Sequence, residues 1–195
     1  MHETMIILQS DALRYRAETF IRNIYAAEYG ATIRAFPARI FAAVDDRSEI
    51  VCAAGLRLYD DGFFSELYLN SPIEQVLGVV SRRPVARDEI FEVTTLASRT
   101  PRATTGFIDS IGCFGEAHGF AWSFFTLTRR LLRLVERLGH PLAHLADADF
   151  RRIPDHEQWG TYFATNPKVF AIMSPRLAFD LDRGQDLARP FAEAV

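Results

Sequence analysis

The apolar positions along this chain form short runs typical of strands, and stretches with helical spacing separate these runs. Apolar runs of about four to eight residues indicate strands, whereas apolar residues three and four apart indicate amphipathic helices. The pattern therefore predicts strands at 4–9, 38–46, 49–60, 89–97, 120–127 and 141–146. It predicts helices at 11–30, 72–82, 101–119 and 128–139. Residues 63–69 are either a further strand or an irregular extension.

The order of these elements predicts a mixed α/β fold. The polar turn "DDRS" joins the second and third strands, so these two form an antiparallel hairpin. The later strands alternate with helices, which predicts right-handed crossovers in one central sheet. A chain of 195 residues is expected to form a single domain over 1–195. Residues 149–195, rich in Pro, Arg, Asp and aromatic residues, are expected to be a loop-rich C-terminal tail that wraps this domain.

The charge of the chain argues against a nucleic-acid partner. The net charge is −3 and the isoelectric point is about 6.0, whereas phosphate binding needs a basic surface. Cys52 and Cys113 lie in apolar surroundings, which predicts two buried thiols in a reducing compartment. The apolar run from Met5 to Leu8 is too short for a secretory signal. These features predict a cytoplasmic protein.

Several familiar motifs are missing from the sequence. It contains no phosphate-binding loop, no dinucleotide fingerprint, no G-x-S-x-G elbow and no C-x-x-C pair. His140 and His144 have helical ligand spacing, but Pro141 interrupts the helix that would align them. We therefore expect no metal site.

Glu92 is the most unusual residue of the predicted strands. It lies between Phe91 and Val93, where burial of an unpaired charge is costly. A buried carboxylate with a raised pKa is suited to accept a proton from an attacking amine. The alternative is a structural ion pair with an arginine of a neighbouring strand, such as Arg57.

Two segments carry arginines that suit anionic ligands. "SRTPRATTG" has Arg99 and Arg102 beside a predicted helix start, which favours phosphate or phosphopantetheine binding, although simple capping gives the same pattern. The helix "TRRLLRLVERLG" carries leucines on one side and arginines on the other. Its arginines either contact an acidic partner or anionic lipid at a peripheral membrane site, or are simply solvated.

Four separated segments carry a family resemblance: "RNIYAAEYGATIRAF", "GLRLYDDGFFSELYLNSPIEQVL", "RDEIFEVTTLAS" and "WGTYFATNPKVFA". Over roughly residues 14–172 they resemble the thermostable hemolysin family, which is similar to the acyl-homoserine-lactone autoinducer synthases of the GNAT acyltransferase superfamily. The resemblance implies a GNAT-like mixed sheet with helices on both faces. It also implies that the strands ending near Leu96 and Leu127 splay apart to admit an acyl thioester.

The resemblance to the autoinducer synthases is partial. Arg16 and Phe20 match an Arg and Phe four apart in the first helix, and "GLRL" matches a strand motif through Arg57. Glu92, Thr94 and Leu96 correspond to the synthase pattern E-x-[ST]-R-F, but Thr95 replaces its arginine. The paired aspartates implicated in holding S-adenosylmethionine have no counterpart. These departures argue against homoserine-lactone synthesis and leave acyl-thioester use open.

The resulting hypothesis is an N-acyltransferase whose donor is acyl-CoA or the phosphopantetheine of acyl carrier protein, and whose acceptor is a small amine. Glu92 would accept the amine proton, Arg57 would position Glu92 or the acceptor, and backbone N–H groups around Thr95 would polarise the carbonyl. The donor would contact Leu96, Ala97, Ser98, Arg99, Arg102 and Thr104. The alternatives are a membrane-active lipid-binding protein without catalysis, as the family name suggests, and a degenerate acyltransferase fold that only binds its ligand.

Overall fold

A computed structural model describes residues 2–178, in which seven strands form one mixed sheet with the order β1-β2-β3-β4-β5-β7-β6. The strands are β1 (Glu3–Ile7), β2 (Arg39–Val44), β3 (Ile50–Arg57), β4 (Ile90–Ser98), β5 (Trp122–Leu127), β6 (Leu142–Asp147) and β7 (Lys168–Met173). The helices are α1 (Arg14–Tyr29), α2 (Ile73–Ser81), α3 (Pro101–Ala117) and α4 (Arg129–Arg137).

The first four strands form the predicted antiparallel meander. β2 and β3 pair as a hairpin around residues 45–49, and β1 and β4 pair antiparallel to its outer edges. The local pattern was sufficient here because each strand is bounded by polar turn residues. α1 ends at Gly30, whose φ of 65° is a backbone conformation that glycine adopts without strain.

β4 and β5 form the only parallel pair in the described sheet. β7 and β6 follow β5 in the sheet and pair antiparallel. α3 connects these two strands and begins at Thr100, whose side chain accepts a hydrogen bond from the N–H of Ala103, with Pro101 at the first helical position. This start follows the predicted cap-plus-proline signal.

Helices cover both faces of the sheet. α1 and α2 pack on the face that includes Ala53, Phe124 and Ala171, whereas α3 and α4 pack on the opposite face. Alternate residues of each strand point to opposite faces, so each strand contributes to both cores. None of the helices between residues 2 and 178 is long and apolar enough to cross a bilayer.

The predicted loop-rich tail contains a strand. β7 inserts between β5 and β6 and pairs antiparallel with both. The sequence pattern did not reveal β7 as a strand. The segment 149–167 that precedes it forms short 3-10 turns and polar loops, and its apolar residues lack the regular spacing of a helix or strand. Residues 179–195 of that predicted tail lie outside the described part of the chain.

Two further predictions are resolved by the structure. Residues 63–69 are the irregular extension and not a strand, because Ser65–Tyr68 form a 3-10 turn. The prediction of two buried thiols is wrong for Cys113, which is exposed on the outer side of α3, whereas Cys52 is buried in β3.

Candidate active site

The centre of the sheet contains a gap between β4 and β5. The two strands pair from Ile90 opposite Trp122 to Val93 opposite Phe125, and then the pairing stops although both strands continue. Residues of β4 beyond Val93 consequently have no strand partner on the β5 side. This opening confirms the predicted splaying of the strands that end near Leu96 and Leu127.

A β-bulge lies in β4 beside the gap. Ala53 pairs with Ala97 and Gly55 pairs with Thr94, so β4 contains one extra residue relative to β3. Thr95 has a φ of 46°, a conformation that is unfavourable for a β-branched residue and costs on the order of 1–3 kcal/mol. Backbone strain of this kind is concentrated at ligand sites and is maintained by the surrounding fold.

Glycine at position 55 permits this bulge. A Cβ at Gly55 would collide with the Thr94 hydroxyl and would lie 2.9 Å from Cγ of Pro37. The Thr95 hydroxyl is buried and has no hydrogen-bond partner within residues 2–178. An unsatisfied buried hydroxyl is unfavourable, so a ligand that bonds Thr95 would gain free energy.

The gap opens into a cleft of about 310 Å³ that passes between the two faces of the sheet. Tyr25 and Tyr29 of α1, together with Tyr162, line it on one face. Side chains of α3 and α4 line it on the other, and they include Thr104, Ile108, Ile111, Leu131, Leu134 and Val135. The apolar lining and a few polar groups give the cleft the character of a small-ligand site.

The rim of the cleft carries three arginines, and the guanidinium of Arg99 lies 5.7 Å from the centre of the Phe20 ring of α1. Arg99, Arg130 and Arg137 line it beside the first turn of α3. Two of these arginines have only weak partners, since Arg130 is 3.6 Å from the Glu28 carboxylate and Arg99 is 3.9 Å from that of Glu49, all at exposed positions. The rim therefore favours anionic groups.

The predicted donor-binding residues are not all in this cleft. Leu96, Ser98, Arg99 and Thr104 line it together with Thr95. Arg102 instead lines a separate depression with His2 and Thr4, because it lies one residue beyond Pro101 on the outward side of α3. The side chain of Ala97 also points away from the cleft, into the core under α1.

Glu92 lies next to the gap but is completely buried, with an exposed fraction of 0%. Its two carboxylate oxygens accept hydrogen bonds from the backbone N–H groups of Phe64 at 2.6 Å and Ser65 at 2.7 Å. Burial raises the pKa of Glu92 to about 7, against the lowering effects of hydrogen bonds from Ser65 and Phe64 and of the Arg57 charge. The carboxyl group therefore titrates near neutral pH.

Arg57 does not form the alternative ion pair with Glu92. The two residues are direct partners in the β3–β4 ladder, yet the guanidinium donates to the backbone carbonyls of Asp61 and Gly62 at 3.3 and 3.2 Å. The backbone N–H groups of residues 64–65 donate hydrogen bonds to the Glu92 carboxylate instead. Arg57 acts on Glu92 only through its charge.

Two hydroxyl groups near Glu92 were not among the predicted site residues. The Ser65 hydroxyl lies 2.8 Å from the Thr126 hydroxyl, and Thr126 lines the cleft. A threonine within the apolar strand "WSFFTL" was the available signal for Thr126. No local signal indicated Ser65, because its position depends on the fold of the irregular segment 58–72.

The fold is similar to those of three solved acyl-transfer proteins. The CoA-dependent acyl-homoserine lactone synthase BjaI, solved with SAM and isopentyl-CoA, has a TM-score of 0.57 and 13% identity, with coverage of 94% of this chain and 89% of BjaI. FeeM, an N-acyl amino acid synthase from uncultured soil microbes, has a TM-score of 0.55 and 13% identity over 90% of this chain and 94% of FeeM.

The third is a GCN5-related N-acetyltransferase from Kribbella flavida, with a TM-score of 0.51 and 12% identity over 87% of this chain and 97% of that protein. These likenesses establish the GNAT-like fold predicted from the sequence. Comparison with curated protein sequences gives no significant match.

A family model extends over most of the chain. Residues 7–176 match the family described as thermostable hemolysin, and this range includes β2 to β7 with all four helices. The resemblance inferred from the four sequence segments is thereby confirmed. The chain belongs to the thermostable hemolysin family.

Proposed function

We propose that this protein is an N-acyltransferase that moves an acyl group from a pantetheine thioester, of coenzyme A or of acyl carrier protein, to a small amine. The observation that carries the proposal is the gap between β4 and β5, with a bulge at Thr95 on its edge and the buried carboxylate of Glu92 beside it. A narrow gap through a sheet suits an extended pantetheine arm, which is about as wide as a single strand.

In this proposal the phosphate end of the donor lies at the arginine-bearing rim of the cleft, next to the first turn of α3. Arg99 contacts the phosphate of the donor, and Ser98 and Thr104 offer hydroxyl groups further inside the cleft. Leu96 contacts the apolar part of the arm. The unpaired backbone N–H groups of β4 beyond Val93 polarise the thioester carbonyl and stabilise the oxyanion of the transition state. Arg102 and the side chain of Ala97 have no part in it, because they lie outside the cleft.

The acceptor amine approaches from the face that carries Glu92. Its nitrogen attacks the thioester carbonyl carbon, the C–N bond forms, the C–S bond breaks, and the amine proton is transferred to the departing thiolate by way of Glu92. A base with a pKa of about 7 is well matched to this task near neutral pH. Arg57 tunes this pKa, since its positive charge favours the ionised carboxylate.

The structural relatives support acyl transfer to nitrogen. BjaI acts with CoA-linked donors and FeeM is an N-acyl amino acid synthase, so both the donor and the acceptor class proposed here have precedents in this fold. The sequence lacks the synthase arginine at position 95, which favours a simple amino acid or amine over S-adenosylmethionine as the acceptor.

Release of free thiol from a panel of acyl-CoA and acyl-carrier donors, with amino acids as acceptors and mass analysis of the product, tests this proposal. We expect an N-acyl product with the wild-type protein. Glu92→Gln should reduce turnover by about 100-fold or more, whereas Glu116→Gln, at an exposed position on α3, should not change it. Tight donor binding without thiol release from any pair would instead identify a binding module.

A further inference from the structure

Glu92 is separated from the cleft in which it is proposed to act. Its side chain is fully buried and is not among the residues that line the cleft. A proton of an amine bound in the cleft therefore needs an intermediate group to reach the carboxylate. This inference rests on the proposed acyl transfer and concerns the residues that complete it.

Ser65 and Thr126 fill the space between Glu92 and the cleft. The backbone N–H of Ser65 donates to the Glu92 carboxylate at 2.7 Å, and the Ser65 hydroxyl lies beside that carboxylate and 2.8 Å from the Thr126 hydroxyl. Ser65 has an exposed fraction of 1%, so bulk water does not compete for these bonds. Thr126 lies on the same face of β5 as Phe124, the ladder partner of Glu92, and it reaches the cleft.

The direction of these hydrogen bonds follows from counting protons. The ionised carboxylate only accepts, so in any hydrogen bond between it and the Ser65 hydroxyl the serine supplies its single proton. Ser65 then accepts from Thr126, whose proton is thereby also committed. The remaining lone pair of the Thr126 oxygen is left to accept a hydrogen bond from an N–H group in the cleft.

We propose that Thr126 and Ser65 relay a proton from the acceptor amine to Glu92. As the amine nitrogen forms its bond to the carbonyl carbon, its proton passes to the Thr126 oxygen, the Thr126 proton passes to Ser65, and the Ser65 proton passes to the carboxylate. When the C–S bond breaks, the chain runs in reverse and delivers one proton to the thiolate. The products are the amide and the free thiol, and Glu92 is ionised again.

The charged surroundings of Glu92 are compatible with this cycle. Arg57 of β3 acts on the carboxylate through its positive charge, and Tyr68 of the 3-10 turn lies near it. Burial, and then the nearby Glu92 charge, raises the pKa of Tyr68, so the phenol stays neutral. The carboxyl group is thus the member of this cluster that changes its protonation near neutral pH.

The test uses Thr126→Val, which removes the hydroxyl with little change in volume, and Thr126→Ser, which keeps it. Thiol release and donor KM are measured across pH, with Ser110→Ala on the outer side of α3 as the control. We expect Thr126→Val and Ser65→Ala each to lower kcat by about 100-fold while donor KM changes little, and Thr126→Ser to restore most of the rate. Adding Thr126→Val to Glu92→Gln should lower the rate no further, because residues of one relay act as a unit.

The outcomes separate the relay from acyl transfer itself. If the wild-type protein transfers acyl groups and Thr126→Val keeps its rate and pH profile, the relay is refuted and the proposed function stands. If Thr126→Ser is as slow as Thr126→Val although both bind the donor normally, the hydroxyl is not the active group and the relay also fails. If the wild-type protein releases no thiol with any donor and amine, both proposals are overturned.

Discussion

Replacing Glu92 by Gln should remove a pH dependence of stability that runs opposite to that of activity. Burial raises the pKa of Glu92 in the folded protein to about 7, above its ordinary value of 4.5. Between these two values the folded state holds a proton that the unfolded chain has released. The contribution of Glu92 to stability is therefore fully present below pH 4.5 and is lost as the pH rises through 7.

The size of this effect follows from the two pKa values. The difference between 4.5 and about 7, at roughly 1.4 kcal/mol per pH unit, corresponds to about 3 kcal/mol of unfolding free energy. Such a change is a large part of the stability of a typical domain, which is about 5–15 kcal/mol. Acyl transfer needs the ionised carboxylate and should increase over the same pH range, with about a tenth of the maximal rate one pH unit below the pKa.

Urea denaturation of the wild-type protein and of Glu92→Gln between pH 5 and pH 8 measures this effect directly. The stability of the wild-type protein should fall relative to the variant as the pH rises. Glu66→Gln is the matched control, because a hydrogen bond from Arg87 lowers the pKa of Glu66 and moves its contribution to more acidic pH. Parallel pH profiles for the wild-type protein and Glu92→Gln would refute the assignment of a raised pKa.

Three further predictions concern other parts of the site. Gly55→Ala should lower the unfolding free energy by about 1–3 kcal/mol, because the added Cβ would meet Thr94 and Pro37. Gly112→Ala should raise the unfolding free energy by about 0.5–1 kcal/mol, because a Cβ at this position of α3 meets open space. Equal urea midpoints for the two variants would contradict this prediction. Arg99→Ala should raise donor KM about tenfold while Arg102→Ala leaves it unchanged, and equal effects on KM would place the donor elsewhere. Dye-loaded vesicles should leak only when protein, donor and amine are all present, and leakage by protein alone would favour direct membrane activity.

The elements that sequence predicts best are those whose signals are local. The hairpin of β2 and β3 and the unit of β4, α3 and β5 follow from apolar runs, polar turns and the cap at Thr100. Glu92 was recognised as unusual for a similar reason, because a carboxylate in an apolar strand is visible without any knowledge of its neighbours.

The surroundings of Glu92 depend instead on contacts between distant parts of the chain. Its hydrogen-bond donors lie 27 and 28 residues away in an irregular segment, and no periodic pattern places their N–H groups over the carboxylate. The sequence consequently offered Arg57, the nearest cation in the ladder, as an alternative partner, although its Nη1 donates to backbone carbonyls instead. The position of β7 between β5 and β6 likewise depends on the whole sheet and not on its six residues alone.

The family description raises the question of how a protein of this fold could lyse cells. The basic amphipathic helix for which membrane contact was one of two alternatives is α4, and its apolar side chains Leu131, Leu134 and Val135 line the cleft and pack on the sheet. Insertion of this face into a bilayer would therefore require the core to open, whereas its outward arginines offer only electrostatic attraction of about 1 kcal/mol each to anionic lipid. An acyl chain joined to a polar amine, by contrast, is itself an amphiphile that partitions into membranes by about 0.8 kcal/mol for each buried CH₂ group. Under the proposed function, any lysis by this protein is therefore expected to come from an acylated product and not from the folded protein.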